Sequence, residues 1–250
     1  MVDPWLALRA TTRARIGLGR AGDALPLKDV LEFQLAHARA RDAVHTPLDV
    51  AALGPFLAVR SAAPDRATYL RRPDLGRVLT TDTALTRGEW DAVFVLADGL
   101  SPVAVQHHAV KLLEACMARL TGWSVAPPVV AIQARVALGD DIAERLGAQM
   151  VAVLIGERPG LSAADSLGVY LTYGPRIGRR DSERNCISNI HAGGLSYAAA
   201  ADILVWLMTA ARTRKLTGTA LKDDRPFLPE TTRATLLHGP GSHTVRLIME

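Results

Sequence analysis

The chain reads as an α/β protein: a Rossmann-like parallel sheet with helices on both faces, preceded by a small helical N-terminal region. Three observations predict this. Three continuous apolar runs, AVFVLA (92–97), VVAIQ (129–133) and MVAVLI (150–155), have the length and composition of strands buried on both faces. Helical patterns lie between them, as right-handed βαβαβ winding requires. Each run ends in turn or polar residues, namely Asp98-Gly99, Ala134-Arg135-Val136 and Gly156-Glu157-Arg158. These three ends converge on one edge, where open α/β sheets hold ligands. The expected organisation is an arm and helical region over 1–88, the α/β domain over 89–221 and a tail over 222–250 that reads as loose.

Taken in order, the first 50 residues predict an arm and one amphipathic helix. Leu27, Val30, Leu31, Leu35 and Ala38 share one face, and Pro47 closes the helix. Ahead of it, Gly17-Leu18-Gly19-Arg20-Ala21-Gly22 matches the dinucleotide pattern GxGxxG. That pattern acts only after a buried strand, and the polar stretch TTRAR precedes it here, so a glycine-rich loop lying against another chain or ligand is the better reading. From Leu53 to about Trp90, Pro55, Pro64 and Pro73 interrupt the pattern, which predicts irregular linker with short helical turns.

After the first run, Ser101 and Pro102 make a helix N-cap and first helical residue for VAVQHHAVKLLEACMARL. Pro127-Pro128 breaks the chain before the second run, and ALGDDIAERLG predicts a helix ended by Gly147. A further strand over Gly168 to Tyr173 follows the third run. Gly193 and Gly194 precede a long helix from Ser196 to about Leu216, in which Ile203, Leu204, Trp206 and Leu207 predict near-complete burial. Past Gly218 order decays, with Pro226, Pro229, Gly239, Pro240 and Gly241 in the tail.

Composition narrows the function. With 250 residues, 49% hydrophobic and 22% charged, the chain can bury a sizeable core, and no apolar run reaches the roughly 20 residues of a membrane span. The N-terminus lacks the apolar core of a secretory signal, which places the protein in the cytoplasm. Cys116 and Cys186 are far apart and outside any CxxC pattern, so neither a disulfide nor a structural zinc site is expected. The net charge of +4 comes from scattered basic pairs without interleaved aromatics, which argues against nucleic acid.

Several residues invite chemistry and have a plainer reading. Asp98 reads as a helix cap, and Glu157-Arg158 as either a solvated turn pair or a functional one. Cys186 reads as a small buried hydrophobe. His107 and His108 are neighbours on one helix, about 100° apart in direction, so they cannot chelate one metal as an i, i+4 pair would and read as surface or core histidines. Asp165, Ser166 and His191 lack the GxSxG context of a hydrolase triad.

Longer motifs add a resemblance. TTRARIGLGRAG, FQLAHARARDAVH, VLADGLS, RVALGDDIAERLGA, LIGERPGLSAADSLGVYLTY and ERNCISNI, in this order over about Leu6 to Gly218, resemble the small (light) subunit family of bacterial ethanolamine ammonia-lyase. The resemblance implies an adenosylcobalamin enzyme that converts ethanolamine to acetaldehyde and ammonia. A TIM-barrel large subunit would hold the substrate, and this chain's α/β domain would close over the cobalamin. Six copies of each chain are implied, and enclosure in a bacterial microcompartment is compatible with the family. Carried onto this sequence, the family's cobalamin contacts are Val136 in RVALGD, Glu157 in GERPG and Cys186 in RNCISN. No residue of this chain is read as catalytic or as a metal ligand, and the arm with its helix is read as embracing the large subunit. The competing reading is a stand-alone Rossmann-like nucleotide-binding oxidoreductase built on the GLGRAG loop.

Overall fold

In the computed structural model, which describes residues 3–81 and 83–224, six strands form one sheet. They are β1 (Leu57–Arg60), β2 (Val93–Ala97), β3 (Val129–Ile132), β4 (Met150–Gly156), β5 (Leu167–Tyr173) and β6 (Asn185–Ile190). Their order is β1-β3-β2-β4-β5-β6. The three apolar runs are the central strands β2, β3 and β4, parallel to one another. Every residue of β2 and β4 is buried, as continuous apolar runs require.

The sheet departs from the expected all-parallel form at one side. β5 pairs antiparallel with β4, and β6 antiparallel with β5. The connections explain this: a parallel return needs a crossover of a dozen residues or more, usually a helix, whereas residues 157–166 carry no helix and simply fold back. The fold is therefore mixed α/β, parallel over β1-β3-β2-β4 and antiparallel beyond. A second departure is β1, since the stretch expected as linker supplies an edge strand paired with β3. The short helical turns expected there are also present, at Arg66–Arg71 and Leu75–Arg77.

Helices in chain order are α1 (Leu6–Thr11), α2 (Leu27–His45), α3 (Val50–Leu53), α4 (Arg66–Arg71), α5 (Pro102–Ala104), α6 (Val110–Met117), α7 (Leu138–Leu146) and α8 (Tyr197–Arg214). They cover both faces of the sheet. Phe94, Leu96, Ala152 and Leu154 point to one core with Leu112 of α6 and Leu204 of α8. Val93, Val95, Val151 and Val153 point to the other with Leu138, Ile142 and Leu146 of α7. This alternation is the period-two geometry of a strand buried on both sides. Gly147 ends α7 at φ +78°, the left-handed conformation that glycine adopts without penalty. Leu204 and Leu207 of α8 are buried, but Ile203 and Trp206 are only partly so, since that face turns away from the sheet.

The arm contributes almost nothing to either core. α1 buries no residue and α2 buries only Ala43, leaving Leu27 70% and Leu31 55% exposed. α2 ends as expected just before Pro47, with the Thr46 amide donating to the Asp42 carbonyl at 2.9 Å. Arg13 ties the arm to the body, donating to the Gly193 carbonyl at 2.8 Å. No helix among the described residues is long and apolar enough to cross a membrane. Residues 225–250, which make up nearly all of the expected tail, lie outside the described residues.

Candidate functional site

The carboxyl ends of β2, β3 and β4 meet as expected and open a cleft of about 470 Å³. Val136 and Glu157 line it, together with Tyr69, Arg135, Arg158 and Tyr170. Its floor is tight. A methyl group on Gly156 would sit 2.0 Å from the Ser101 carbonyl oxygen, so β4 can meet the start of α5 only through a residue without Cβ. Gly156→Ala is therefore expected to destabilise the chain by about 1–3 kcal/mol in denaturant unfolding.

Asp98 is not the helix cap. Ser101 takes that role, its hydroxyl accepting from the Ala104 amide at 3.3 Å and donating to the Ala164 carbonyl at 2.8 Å, with Pro102 as the first helical residue. Asp98 instead accepts from the Gln133 and Ala134 amides at 2.8 and 2.9 Å and clamps the end of β2 to that of β3. Burial pushes its carboxyl above the ordinary range, against the two amide bonds and the charge of Arg66 3.6 Å away. Gln133, the residue held by this clamp, is left-handed at φ +55°, a conformation that costs energy for a residue with Cβ.

A cationic stack flanks this clamp. The Tyr69 ring lies between the guanidinium groups of Arg66, at 4.8 Å, and Arg135, at 4.3 Å, and its hydroxyl donates to the Ala134 carbonyl at 2.9 Å. Arg66 also donates to the carbonyls of Val44 and Gly99. Arg66 Nη2 and Arg135 Nε are buried with no hydrogen-bond partner among the described residues, and of the two arginines Arg135 lines the cleft. Sequence reasoning missed Arg66 and Tyr69. The readable signal was Pro64-Asp65, since Asp65 is the N-cap of α4 and accepts from the Thr68 amide at 2.7 Å.

Glu157 and Cys186 both neighbour Tyr170, Cys186 across the β5–β6 pair and Glu157 in the cleft lining. Glu157 accepts from the Ser166 hydroxyl, and from the Asn189 amide at 3.4 Å, so it links the end of β4 to β5 and β6. Its carboxylate also presses on Gly168, where a Cβ would lie 2.9 Å from Glu157 Oε1. Cys186 stands opposite Tyr170 in the β5–β6 register and is exposed, not the buried hydrophobe expected from composition. Desolvation raises the pKa of its thiol, Glu157 adds to the rise, and the hydrogen bond with Tyr170 works the other way. The Tyr170 hydroxyl is pushed up to about 12 by desolvation, then by Cys186 and Glu157. Both groups are therefore protonated at neutral pH, polar contacts that carry no charge.

The other singled-out residues go elsewhere. Ser166 serves Glu157, and His191 bonds to Asn189 Oδ1 at 2.9 Å, so no triad forms with Asp165. GLGRAG has no strand before it, and Gly17, Gly19 and Gly22 are all at positive φ in a loop ahead of α2, as the rejection of a dinucleotide site expects.

Comparison with known proteins assigns this architecture. The family model described as "Ethanolamine ammonia-lyase light chain (EutC)" matches residues 2–222. The chain belongs to the ethanolamine ammonia-lyase light-chain family. Proteins named ethanolamine ammonia-lyase small subunit are similar to it nearly end to end. The one from Azotobacter vinelandii is 52% identical over 240 residues, 89% of each chain. That from Xanthomonas campestris pv. campestris is 53% identical over 246 residues, 90% of each chain. That from Rhodococcus erythropolis is 52% identical over 234 residues, 89% of this chain and 91% of the relative. Within this light chain, Val136, two residues ahead of α7, and Glu157, just past β4, line the crevice, whereas Cys186 of β6 is not among its lining residues and stands beside Tyr170, which is.

Proposed function

We propose that this chain is the small subunit of an adenosylcobalamin-dependent ethanolamine ammonia-lyase, which converts ethanolamine to acetaldehyde and ammonia, and that its strand-end crevice forms part of the cobalamin site. The observation that carries the reading is the light-chain family match over residues 2–222, which spans every residue of the crevice. The donor set fits the group. A corrin presents an apolar ring edged with amides; Val136 offers an apolar contact, Glu157 an acceptor for amide N–H groups, and Arg135, whose Nε has no partner among the described residues, a donor for amide oxygens. Cys186 packs as a small, neutral, polarizable group beside Tyr170.

Bound adenosylcobalamin supplies the radical chemistry of the reaction. This chain's residues hold and orient it: the Asp98 clamp and the Arg66–Tyr69–Arg135 stack fix the floor, while Glu157 and Tyr170 form the wall. A cleft of about 470 Å³ encloses only part of a molecule that large, so the remaining wall and the substrate site belong to a large subunit, in a hetero-oligomer with six copies of each chain. The protein works in the cytoplasm, and enclosure in a bacterial microcompartment is compatible with this assembly.

Glu157→Gln keeps the shape and removes the charge. Cobalamin affinity of the assembled enzyme, read by equilibrium dialysis, is expected to fall about tenfold, in line with the roughly 1.5 kcal/mol of a charge-assisted hydrogen bond. Unchanged affinity would overturn the role of Glu157.

A further inference from the structure

His107 and His108 carry an arrangement that the crevice does not use. Between α5 and α6 the helix widens into one π turn over Val105–Ala109, a departure from α geometry that recurs at functional sites. In this turn both rings reach the same atom. His107 Nδ1 lies 3.4 Å and His108 Nε2 lies 3.3 Å from Asp165 Oδ2. One donor atom from each of the three residues lies within 4.8 Å of the other two. The regular-helix expectation missed this because the helix is not regular there and the third group comes from the β4–β5 connection.

We infer that His107, His108 and Asp165 form a binding site for a borderline divalent cation of the zinc class. Two imidazoles and one carboxylate are the donor types that such ions take with high affinity. At a tetrahedral ion with bonds of about 2.0–2.1 Å, neighbouring donors stand roughly 3.3 Å apart. Both histidine–aspartate separations already have that value, and only the two ring nitrogens must close on each other. The freedom for this lies in His107, whose side chain is 55% exposed.

His108 is the fixed ligand. It is buried, and its Nδ1 lies 2.8 Å from the Tyr197 hydroxyl, the outer hydrogen bond that orients a metal-binding imidazole. On binding, His108 keeps one proton on Nδ1, donated to the Tyr197 oxygen, and frees Nε2 for the ion. The remaining coordination position takes water. The ion would staple the π turn to the loop 157–166, whose first residue is Glu157 and whose last, Ser166, bonds to it.

The test titrates the full-length chain with Zn²⁺ against a chromophoric chelator, and with Co²⁺ for its visible absorption bands. His107→Ala and Asp165→Asn are compared with wild type and with His45→Ala, an exposed histidine at the end of α2. Wild type and His45→Ala are expected to bind one ion with tetrahedral Co²⁺ bands. The two ligand variants should bind at least ~100-fold more weakly, since loss of an outer-sphere partner alone costs about 10–100-fold. Because His107 is exposed, its variant retains the wild-type circular dichroism and the comparison stays valid. Equal Zn²⁺ affinity in all four proteins, or no stoichiometric binding by wild type, would overturn the site.

Discussion

Arg184→Ala is expected to lower the unfolding free energy by about 3–5 kcal/mol and the midpoint of thermal unfolding by about 10 °C. Arg184 and Asp140 form a bidentate pair at 2.8 and 2.6 Å, with both side chains 1% exposed. The same guanidinium donates to Thr172 of β5 at 2.8 Å and to the Arg179 carbonyl at 3.0 Å. One side chain thus joins the first turn of α7, strand β5 and the segment leading into β6. Burial alone would lower the Arg184 pKa, and the bonds and charge of Asp140 more than offset it, so the group stays charged. Truncation leaves the Asp140 carboxylate buried without its partner, which is the expensive state.

The magnitude separates this from a surface pair such as Arg72–Asp74, whose partners are 61% and 57% exposed and whose loss should leave the melting midpoint almost unchanged. Replacing both members, as Arg184→Met with Asp140→Leu, removes the stranded charge and is expected to recover most of the stability. Differential scanning calorimetry of Arg184→Ala and of the double variant, each against wild type, decides the matter. A shift under about 2 °C for Arg184→Ala would show that the pair is not the tie described here. Because Cys186 lies two residues beyond Arg184, the proposed cobalamin contact on β6 depends on this buried tie.

The central strands were legible because a strand buried on both faces must be apolar throughout, and Val93–Ala97 and Met150–Gly156 are. Ser101, Pro102 and Gly147 were legible for a related reason, since caps depend on the residue itself and its nearest neighbours. Strand direction is a different kind of property. The sequence predicts β5 at nearly its true bounds, but its antiparallel pairing follows from the absence of a helix in 157–166. β1 has four residues, with only Val59 buried, so it shows no alternation long enough to read.

The same division runs through the site. Val136 and Glu157 follow apolar runs and could be placed at the crevice from that alone. Cys186 comes only through resemblance, because β6, the strand that carries it beside Tyr170, is not marked by a local pattern. The Asp98 clamp and the Arg66–Tyr69–Arg135 stack join residues distant in the chain, so each side chain looks ordinary until the sheet brings them together. The π turn has no counterpart in side-chain spacing, which is why two adjacent histidines converge on one carboxylate unannounced.

Leu31→Asp with Leu35→Asp is expected to weaken association with the large subunit at least ~100-fold while leaving the fold of this chain intact. The second half follows from exposure: Leu31 and Leu35 are 55% and 51% exposed, so charging them costs the isolated chain little. The first half follows from the apolar stripe they belong to. Leu27, Leu31 and Leu35 run along α2, and Phe33 borders an apolar hollow of about 480 Å³ shared with Leu18, Leu25 and Leu161. A stripe of this kind on a helix that buries only Ala43 has no counterpart among the described residues of its own chain, and contiguous exposed apolar surface marks an interaction face. Burying a leucine is worth about 1.5–3 kcal/mol, so two replaced by carboxylates exceed the roughly 2.8 kcal/mol of a hundredfold change. Removing residues 1–25 should act in the same direction, since the arm supplies Leu18 and Leu25 of the hollow. Co-purification of a tagged large chain gives the readout, with circular dichroism of the light chain as the control for folding. Undiminished recovery of the large chain with the double variant would place the interface elsewhere, whereas a lost light-chain self-association would assign the stripe to a second copy of this subunit.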